Sequence, residues 1–412
     1  MSVERRRLRF DPDDQAAERY PRVPFVVDSE ASVEVHLAVA TEGAVVDVGC
    51  EAPAGWRGWS GGARTRFAIT PEAATPGYVP GPLEPGEWAV VLGLHRVPAS
   101  GVELEVTISL PATGPVEEEP PAPPRPDAPR GSARGLPAPA GLTWFAADFH
   151  AHSTHSDGDQ SLDQLAARAA ASGLDVLAVT DHNTVSHHPH LPAVGARYDL
   201  PLVAGQEVTT ARGHANAFGE IGWIDFRTPA DTWLDEVEAR GGLLSVNHPI
   251  EGDCSWQHPL TRIPPVLELW HIGWFRDVRS DAMWAFWNRW RHDVSVVGGG
   301  DFHIAGDGRP PGLPTTWVAA ADRSPDAVLD AVAAGRTAIA WSAWGSPALL
   351  RVDDELVAVD ADGAVLVDIE GRRRPVHGDR VARAADSTTA DGAGVAPYRL
   401  ESATGELLAI SP

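Results

Sequence analysis

Thirteen of the sixteen histidines fall between His150 and His303, a window holding little more than a third of the 412 residues. They come with carboxylates at short, ordered spacings. His150-Ala-His152 is followed by Asp157-Gly158. Thr180-Asp181-His182-Asn183, Gly205-Gln206-Glu207 and Gly213-His214-Ala215-Asn216 come next, then Asn247-His248-Pro249 and Asp301-Phe302-His303. Imidazole nitrogens and carboxylate oxygens bind divalent ions, and a donor set without thiolate suits Zn, Mn or Fe(II) and disfavours Fe–S or Cu(I) sites. Clustered ions of this kind lower the pKa of a bridging water and clamp the attacked and leaving oxygens of an ester. One strand-end histidine alone is more often structural. Six segments delivering such side chains point to a polynuclear metal site.

Each cluster follows a short hydrophobic run, so strands must position it. Strands are predicted at 145–149, 176–180, 202–204, 243–246, 266–269, 294–297 and 316–319. Residues i and i+2 of an extended chain point the same way, so His150 and His152 can face one ion. Helices are predicted over 161–172, 232–240, 281–290 and 325–334. The first opens on a capping box of Ser161 and Gln164 and stops at Gly173. Met283, Phe286, Trp287 and Trp290 recur at helical spacing and read as a buried helix face. Repeated βα units suggest a parallel barrel or a doubly wound sheet, with the strand C-termini gathering the site on one face. Gly298-Gly299-Gly300 lacks a following Gly-Lys-Ser/Thr and reads as a tight strand end, not a phosphate loop.

The flanks differ in composition. Residues 1–113 carry short β-rich runs at 23–28, 33–39, 44–48, 88–94 and 102–108, with no helical period of useful length before residue 140. A small antiparallel β-sandwich is expected there. Residues 114–140 form a linker with nine prolines between Pro115 and Pro139 and the acidic run Glu117-Glu118-Glu119, expected as an extended polyproline spacer. The metal-site portion spans 141–345. Residues 346–412 form a β-rich C-terminal extension, whose runs at 364–369 and 398–402 flank a Gly/Ala/Asp-rich loop.

The ordered motifs His-x-His-x-x-x-x-Asp-Gly, Thr-Asp-His, Gly-x-Glu, Asn-His-Pro and Asp-x-His resemble those of the PHP (polymerase and histidinol phosphatase) metallohydrolases. Gly205-x-Glu207-x-Thr209-Thr210, Gly213-His-x-Asn216-x-x-Gly219 and Leu267-Glu-Leu-Trp270 are similar to the carbaryl-hydrolase-like branch of that family. Residues 58–64 and 76–88 resemble the β-domain preceding some of its members. The resemblance implies a multidomain α/β protein built on a distorted (β/α)7 TIM-like barrel holding two or three divalent ions. It implies that His150, His152, Glu207 and Asp301 hold one ion, that Glu207 bridges to a second held by His214 and His248, and that Asp157, His182 and His303 hold a third. His271 departs from the pattern, standing where an asparagine is expected.

Charge limits the substrates. The formal charge is −24, and all 33 basic residues are arginine. Without lysine there is no Schiff-base chemistry. So acidic a chain is not expected to grip nucleic acid or an anionic membrane. Phosphate recognition would fall to arginine, with Arg212 and Arg309 the first candidates and Arg64 a weaker one. His155 is a candidate acid–base or outer group. Asp148, Asp181 and Asn183 are candidates to orient ligand imidazoles or simply to make turns. His187, His188 and His190 read as a surface cluster. Cys50 and Cys254 form neither a disulfide framework nor a CxxC motif, and neither a secretory leader nor a membrane span is evident. A cytoplasmic enzyme is therefore expected, with homo-oligomerisation left open. The leading expectation is a metal-dependent phosphoesterase acting on a small phosphorylated molecule. Carbamate or carboxyl-ester hydrolysis on the same metals is the alternative, followed by a non-catalytic metal-binding sensor and, least favoured by the charge, a nuclease.

Overall fold

The computed structural model describes residues 2–29, 31–116, 119–273, 282–290, 294–384 and 397–412. Asp281, the first residue of one expected helix, lies outside them, as do Glu117, Glu118 and the Gly/Ala/Asp-rich stretch expected as a loop. The chain forms two compact units that are not consecutive in sequence. The smaller comprises residues 1–121, 152–161 and 181–189; the larger comprises 122–151, 162–180 and 190–412. Two loops expected within the 141–345 portion thus group with the N-terminal strands.

In the smaller unit, two four-stranded antiparallel sheets share one apolar core. One is ordered Ser2–Phe10, Val102–Leu110, Val33–Val39, Arg66–Ile69; the other is Arg22–Val27, Gly86–Arg96, Val45–Ala52, Gly55–Trp59. Strict alternation drives this arrangement. Val23, Phe25 and Val27 point inward on one strand, and Val102, Leu104, Val106 and Ile108 on another. Gly49 and Gly93 lie flat on Trp59, where a Cβ would meet the indole at 2.4 and 2.7 Å. A helix at Pro12–Ala17 departs from the all-β expectation. It is too short to show a period, but Asp11 caps it and Asp14 completes a capping box.

The larger unit holds a thirteen-stranded sheet and a separate antiparallel sheet of Ala348–Val352, Glu355–Val359 and Arg380–Ala384. Val176–Val179 pairs in parallel with Thr143–Asp148 and Leu202–Thr210, and Val266–His271 pairs in parallel with Leu243–Val246 and Ser295–Gly299. Helices Leu162–Ala171, Leu191–Tyr198, Ala230–Ala239, Ala282–Arg289 and Pro325–Ala333 complete it. The expected (β/α)7 barrel is not what forms: among the described residues the sheet does not close. Two departures explain this. Leu202–Thr210 turns straight back through Ala211 and Arg212 into the antiparallel strand Gly213–Phe218, leaving no room for a helix. Thr315–Ala320 then joins Thr143–Asp148 antiparallel. Where Ser295–Gly299 meets the strands that follow, threonine hydroxyls replace a ladder. Thr316 Oγ1 accepts from Gly298 N at 2.7 Å, and Thr337 Oγ1 donates to Val296 O at 2.8 Å.

The proline-rich segment is no free spacer within this unit. Arg130 donates to the carbonyls of Leu174 and Tyr198, the Tyr198 hydroxyl donates to Pro123 O, and the Trp144 indole donates to Pro137 O. The C-terminal extension is also woven in, with Leu407–Ser411 pairing antiparallel to Thr337–Ala340.

Candidate metal centres

The larger unit gathers its histidines and carboxylates at strand ends. Asp148, wholly buried at the end of Thr143–Asp148, accepts N–H bonds from His150 (3.1 Å), Gly300 (2.9 Å) and Gly312 (2.7 Å), tying three segments together. Burial pushes its carboxyl up to about 6 against the pull of those amides. His150 Nδ1 bonds to Glu268 Oε1 at 2.8 Å. With that proton donated to the carboxylate, the Nε2 lone pair faces Glu207 Oε1 at 3.2 Å and Asp301 Oδ1 at 3.1 Å. Glu207 Oε1 also lies 3.2 Å from His214 Nδ1 and 3.3 Å from His248 Nε2, and accepts Asn247 Nδ2 at 2.8 Å.

Electron pairs converging in this way need a cation between them, and the residues present fit a divalent ion on this ground. Burial opposes charge on His150, but Asp301, Glu207 and Glu268 outweigh it and hold its pKa well above the ordinary imidazole value. Burial likewise opposes charge on His248, and bonding to Cys254 and Glu207 lifts it.

Glu268 is the carboxylate that motif reading missed. It is 1% exposed, accepts the His248 N–H at 2.8 Å, and forms one cluster with His150, His248 and His271. Burial alone would raise its pKa, and the charges of His150 and His271 bring it below the usual carboxylate value. The triple glycine makes its space. A Cβ at Gly299 would lie 1.8 Å from Glu268 Oε1, and one at Gly300 would lie 2.5 Å from Asp148 Oδ2. His271 Nε2 lies 3.1 Å from Asp301 Oδ2, so the departing residue joins the cluster. His303 Nδ1 lies 2.9 Å from Asp301 O and 3.6 Å from its Oδ1. His248 and Asp301 adopt φ of +24° and +44°, conformations L residues rarely hold, as is common where side chains are aimed at a ligand.

In the smaller unit, His152, Asp157 and His182 bring one ligand atom each to within 4.8 Å of one another. The two imidazoles stack at 4.3 Å, and His182 Nε2 lies 3.4 Å from Asp157 Oδ1. Asp181 shapes the loop that bears them. It accepts Ser153 N (2.8 Å), Ser153 Oγ (2.7 Å) and Ser156 Oγ (2.7 Å), and lies 3.3 Å from His187 Nδ1. Ser156 Oγ in turn lies 3.4 Å from His152 Nδ1. His155 is buried, its Nδ1 2.7 Å from Ser186 Oγ. His187 corrects the expectation of a surface cluster: it is wholly buried against Asp181, whereas His190 is exposed.

Arg212 sits on the turn before Gly213 and donates to Gln257 O at 2.8 Å, and Arg309 is exposed on the loop after His303.

Residues 148–246 match the PHP domain. The match covers about a quarter of the chain and spans the motifs from Asp148 to the strand before His248. A 5'-3' exoribonuclease of Haemophilus influenzae is 38% identical over 63 residues, and a phosphoribosyl 1,2-cyclic phosphate 1,2-diphosphodiesterase of Eggerthella lenta is 37% identical over 62. Each stretch is 15% of this chain, and the chain spans 23% and 24% of the length of these curated relatives. Among solved structures, a two-domain Bacteroides vulgatus protein containing a predicted PHP-like metal-dependent phosphoesterase aligns at 17% identity and TM-score 0.39, covering 66% of this chain and 96% of that one.

Proposed function

We propose that this chain is a metal-dependent hydrolase of the phosphoesterase type, acting on a small phosphorylated molecule, and that within the PHP domain it belongs to the carbaryl-hydrolase-like branch. The observation that carries the reading is Glu207. One carboxylate oxygen, wholly buried, lies within 3.3 Å of imidazole nitrogens of His150, His214 and His248. Glu207 would be the carboxylate shared between two ions held by these imidazoles. Support also comes from the PHP match and from relatives named as phosphodiesterase and exoribonuclease.

The ligands are those the motifs imply, and the N/O donor set favours Zn, Mn or Fe(II). Such ions supply a water of lowered pKa and neutralise charge on a phosphoryl group. The chain's own groups do the rest. Asn247 fixes the Glu207 carboxylate, Glu268 holds the His150 ring, and Asp181 holds the loop of His152 and Asp157. Arg212 and Arg309 are the proposed phosphate contacts, and His155 the proposed outer acid–base group.

The test is elemental analysis of the purified chain, followed by assay of aryl phosphates and aryl esters before and after metal loading. Two to three equivalents of metal and metal-dependent phosphate turnover are expected. Less than one equivalent, with no rate gain on adding metal, overturns the metal reading. Brisk ester cleavage without phosphate turnover overturns the phosphoesterase one.

A further inference from the structure

His271 is where the sequence departs from the motif pattern, and the proposed chemistry leaves it without a role. It ends the strand Val266–His271, three residues beyond Glu268. Positions i and i+3 of a regular strand face opposite sides of a sheet. Here the pairing with Ser295–Gly299 shifts between Glu268 and Trp270, so one residue is extra and the alternation is reset. His271 therefore turns to the side of Glu268, where His150 and His248 also stand. One ligand-type atom of each of the four lies within 4.8 Å of the others.

Nearness alone would make His271 another ligand. Its hydrogen bonds assign it differently. The Gly273 N–H donates to Nδ1 at 3.1 Å, and Nε2 lies 3.1 Å from Asp301 Oδ2. A ring nitrogen that accepts from an amide carries no hydrogen, so the N–H of the ring is at Nε2 and donates to Asp301. Both ring nitrogens are thus engaged. The residue is 5% exposed, which keeps water from competing for either bond.

Asp301 is the group this bond acts on. Its backbone sits at φ +44°, and its Oδ1 lies 3.1 Å from His150 Nε2. With Oδ2 taken by His271, Oδ1 is the oxygen aimed towards His150. Side-chain length at position 271 decides whether this can happen. An asparagine amide ends one bond beyond Cγ, level with Nδ1; it can accept from Gly273 but stops short of Asp301. A glutamine amide reaches one bond further, level with Nε2.

We infer that His271 is a positioning residue and not a ligand: its Nε2–H holds Asp301 Oδ2, so that Asp301 presents Oδ1 alone to the ion of the larger unit's centre. This rests on the metal-site reading above and deepens it.

The first measurement is a long-range proton–nitrogen correlation spectrum of the imidazoles in the full-length protein, apo and Zn²⁺-loaded. The His271 signals are assigned by their loss in His271→Gln. The Nε2–H pattern is expected in both states. An Nδ1–H pattern, or a ring that takes up the shifts of a metal-bound nitrogen on adding Zn²⁺, overturns the inference. The second measurement is Zn²⁺ titration, with thermal melting in chelator to monitor the apo fold. His271→Asn is expected to bind one equivalent about 10- to 100-fold more weakly, and His271→Gln to stay within a few-fold of wild type. In an Asp301→Ala background His271→Asn is expected to cost nothing further, because its effect runs through Asp301. Equal losses from the two variants, or a further loss in that background, are the marks of a ligand and overturn the inference while leaving the metal reading intact. Wild-type affinity in a folded His271→Asn overturns it equally; a metal-free wild type overturns both. Should His271→Asn not fold, the spectrum of the wild type decides alone.

Discussion

The two histidine–carboxylate centres rest on different supports. In the larger unit the ligand-type side chains stand at the ends of buried strands, and its carboxylates are shared. Glu207 meets three imidazoles and Asn247, and Glu268 meets His150 and the His248 amide. In the smaller unit the side chains stand on loops, and the Asp157 side chain is 35% exposed where that of Glu207 is 0%. Buried, mutually fixed donors are preorganised, so little ordering remains to oppose an ion. Loop donors must be held from outside. On the proposed metal reading, the contrast predicts a tightly held ion at the first centre and a weakly held one at the second, with the first carrying most of the rate.

Glu207→Gln should break the tight centre. It removes the charge common to His150, His214 and His248, and a fall in kcat/KM on the order of a thousand-fold or more is expected, with loss of at least one metal equivalent. Asp157→Asn should cost roughly 10- to 100-fold with one equivalent lost. Equal losses from the two would dissolve the distinction. Glu268→Gln comes next: it touches no substrate but frees the His150 ring, and metal affinity at the larger centre should fall by about 10- to 100-fold, read by titration. Asp181→Asn sharpens the other side. An amide cannot accept from both serine hydroxyls and the Ser153 N–H as the carboxylate does. About 1–3 kcal/mol of stability should go, and the smaller centre's equivalent with it, while the larger centre keeps its metal.

The sequence disclosed the ligand-type residues because histidine and carboxylate straight after an apolar run have no core use. It hid their supports. Glu268 inside Val-Leu-Glu-Leu-Trp reads as one polar residue in an apolar strand, and the clue was elsewhere, in Gly299 and Gly300, whose missing side chains clear space for Glu268 and Asp148. His187 looked like one of three loop histidines until Asp181, six residues earlier, was seen to face it. Repeated βα spacing leaves a parallel barrel or a doubly wound sheet open, and the resemblance implies a distorted (β/α)7 barrel, but two residues between Thr210 and Gly213 admit a hairpin and nothing more. The proline-rich segment follows its composition in lacking long elements. Its docking depends on Arg130 finding carbonyls 44 and 68 residues away, which no local pattern encodes.

The smallest expected effect separates the scaffold of the smaller unit from its centre. Glu34 lies in the sheets, 9% exposed. It takes Arg66 Nε at 2.9 Å on one oxygen, and the Thr113 N–H, the Thr113 hydroxyl and the Gly114 N–H on the other. Burial alone would raise its pKa; the bonds from Arg66 and Thr113 outweigh it and hold the carboxyl at about 2. A folded-state pKa below the unfolded one means stability that is present above the unfolded value of 4.5 and lost as pH falls towards 2. Glu34→Gln should therefore cost roughly 2 kcal/mol at pH 7, and the gap from wild type should narrow between pH 5 and about 2, as read from urea melts across that range. Metal content at pH 7 should not change. A pH-independent gap would show that shape and not charge makes the Glu34 contribution. A loss of metal would show that the loop centre depends on the whole sheet scaffold.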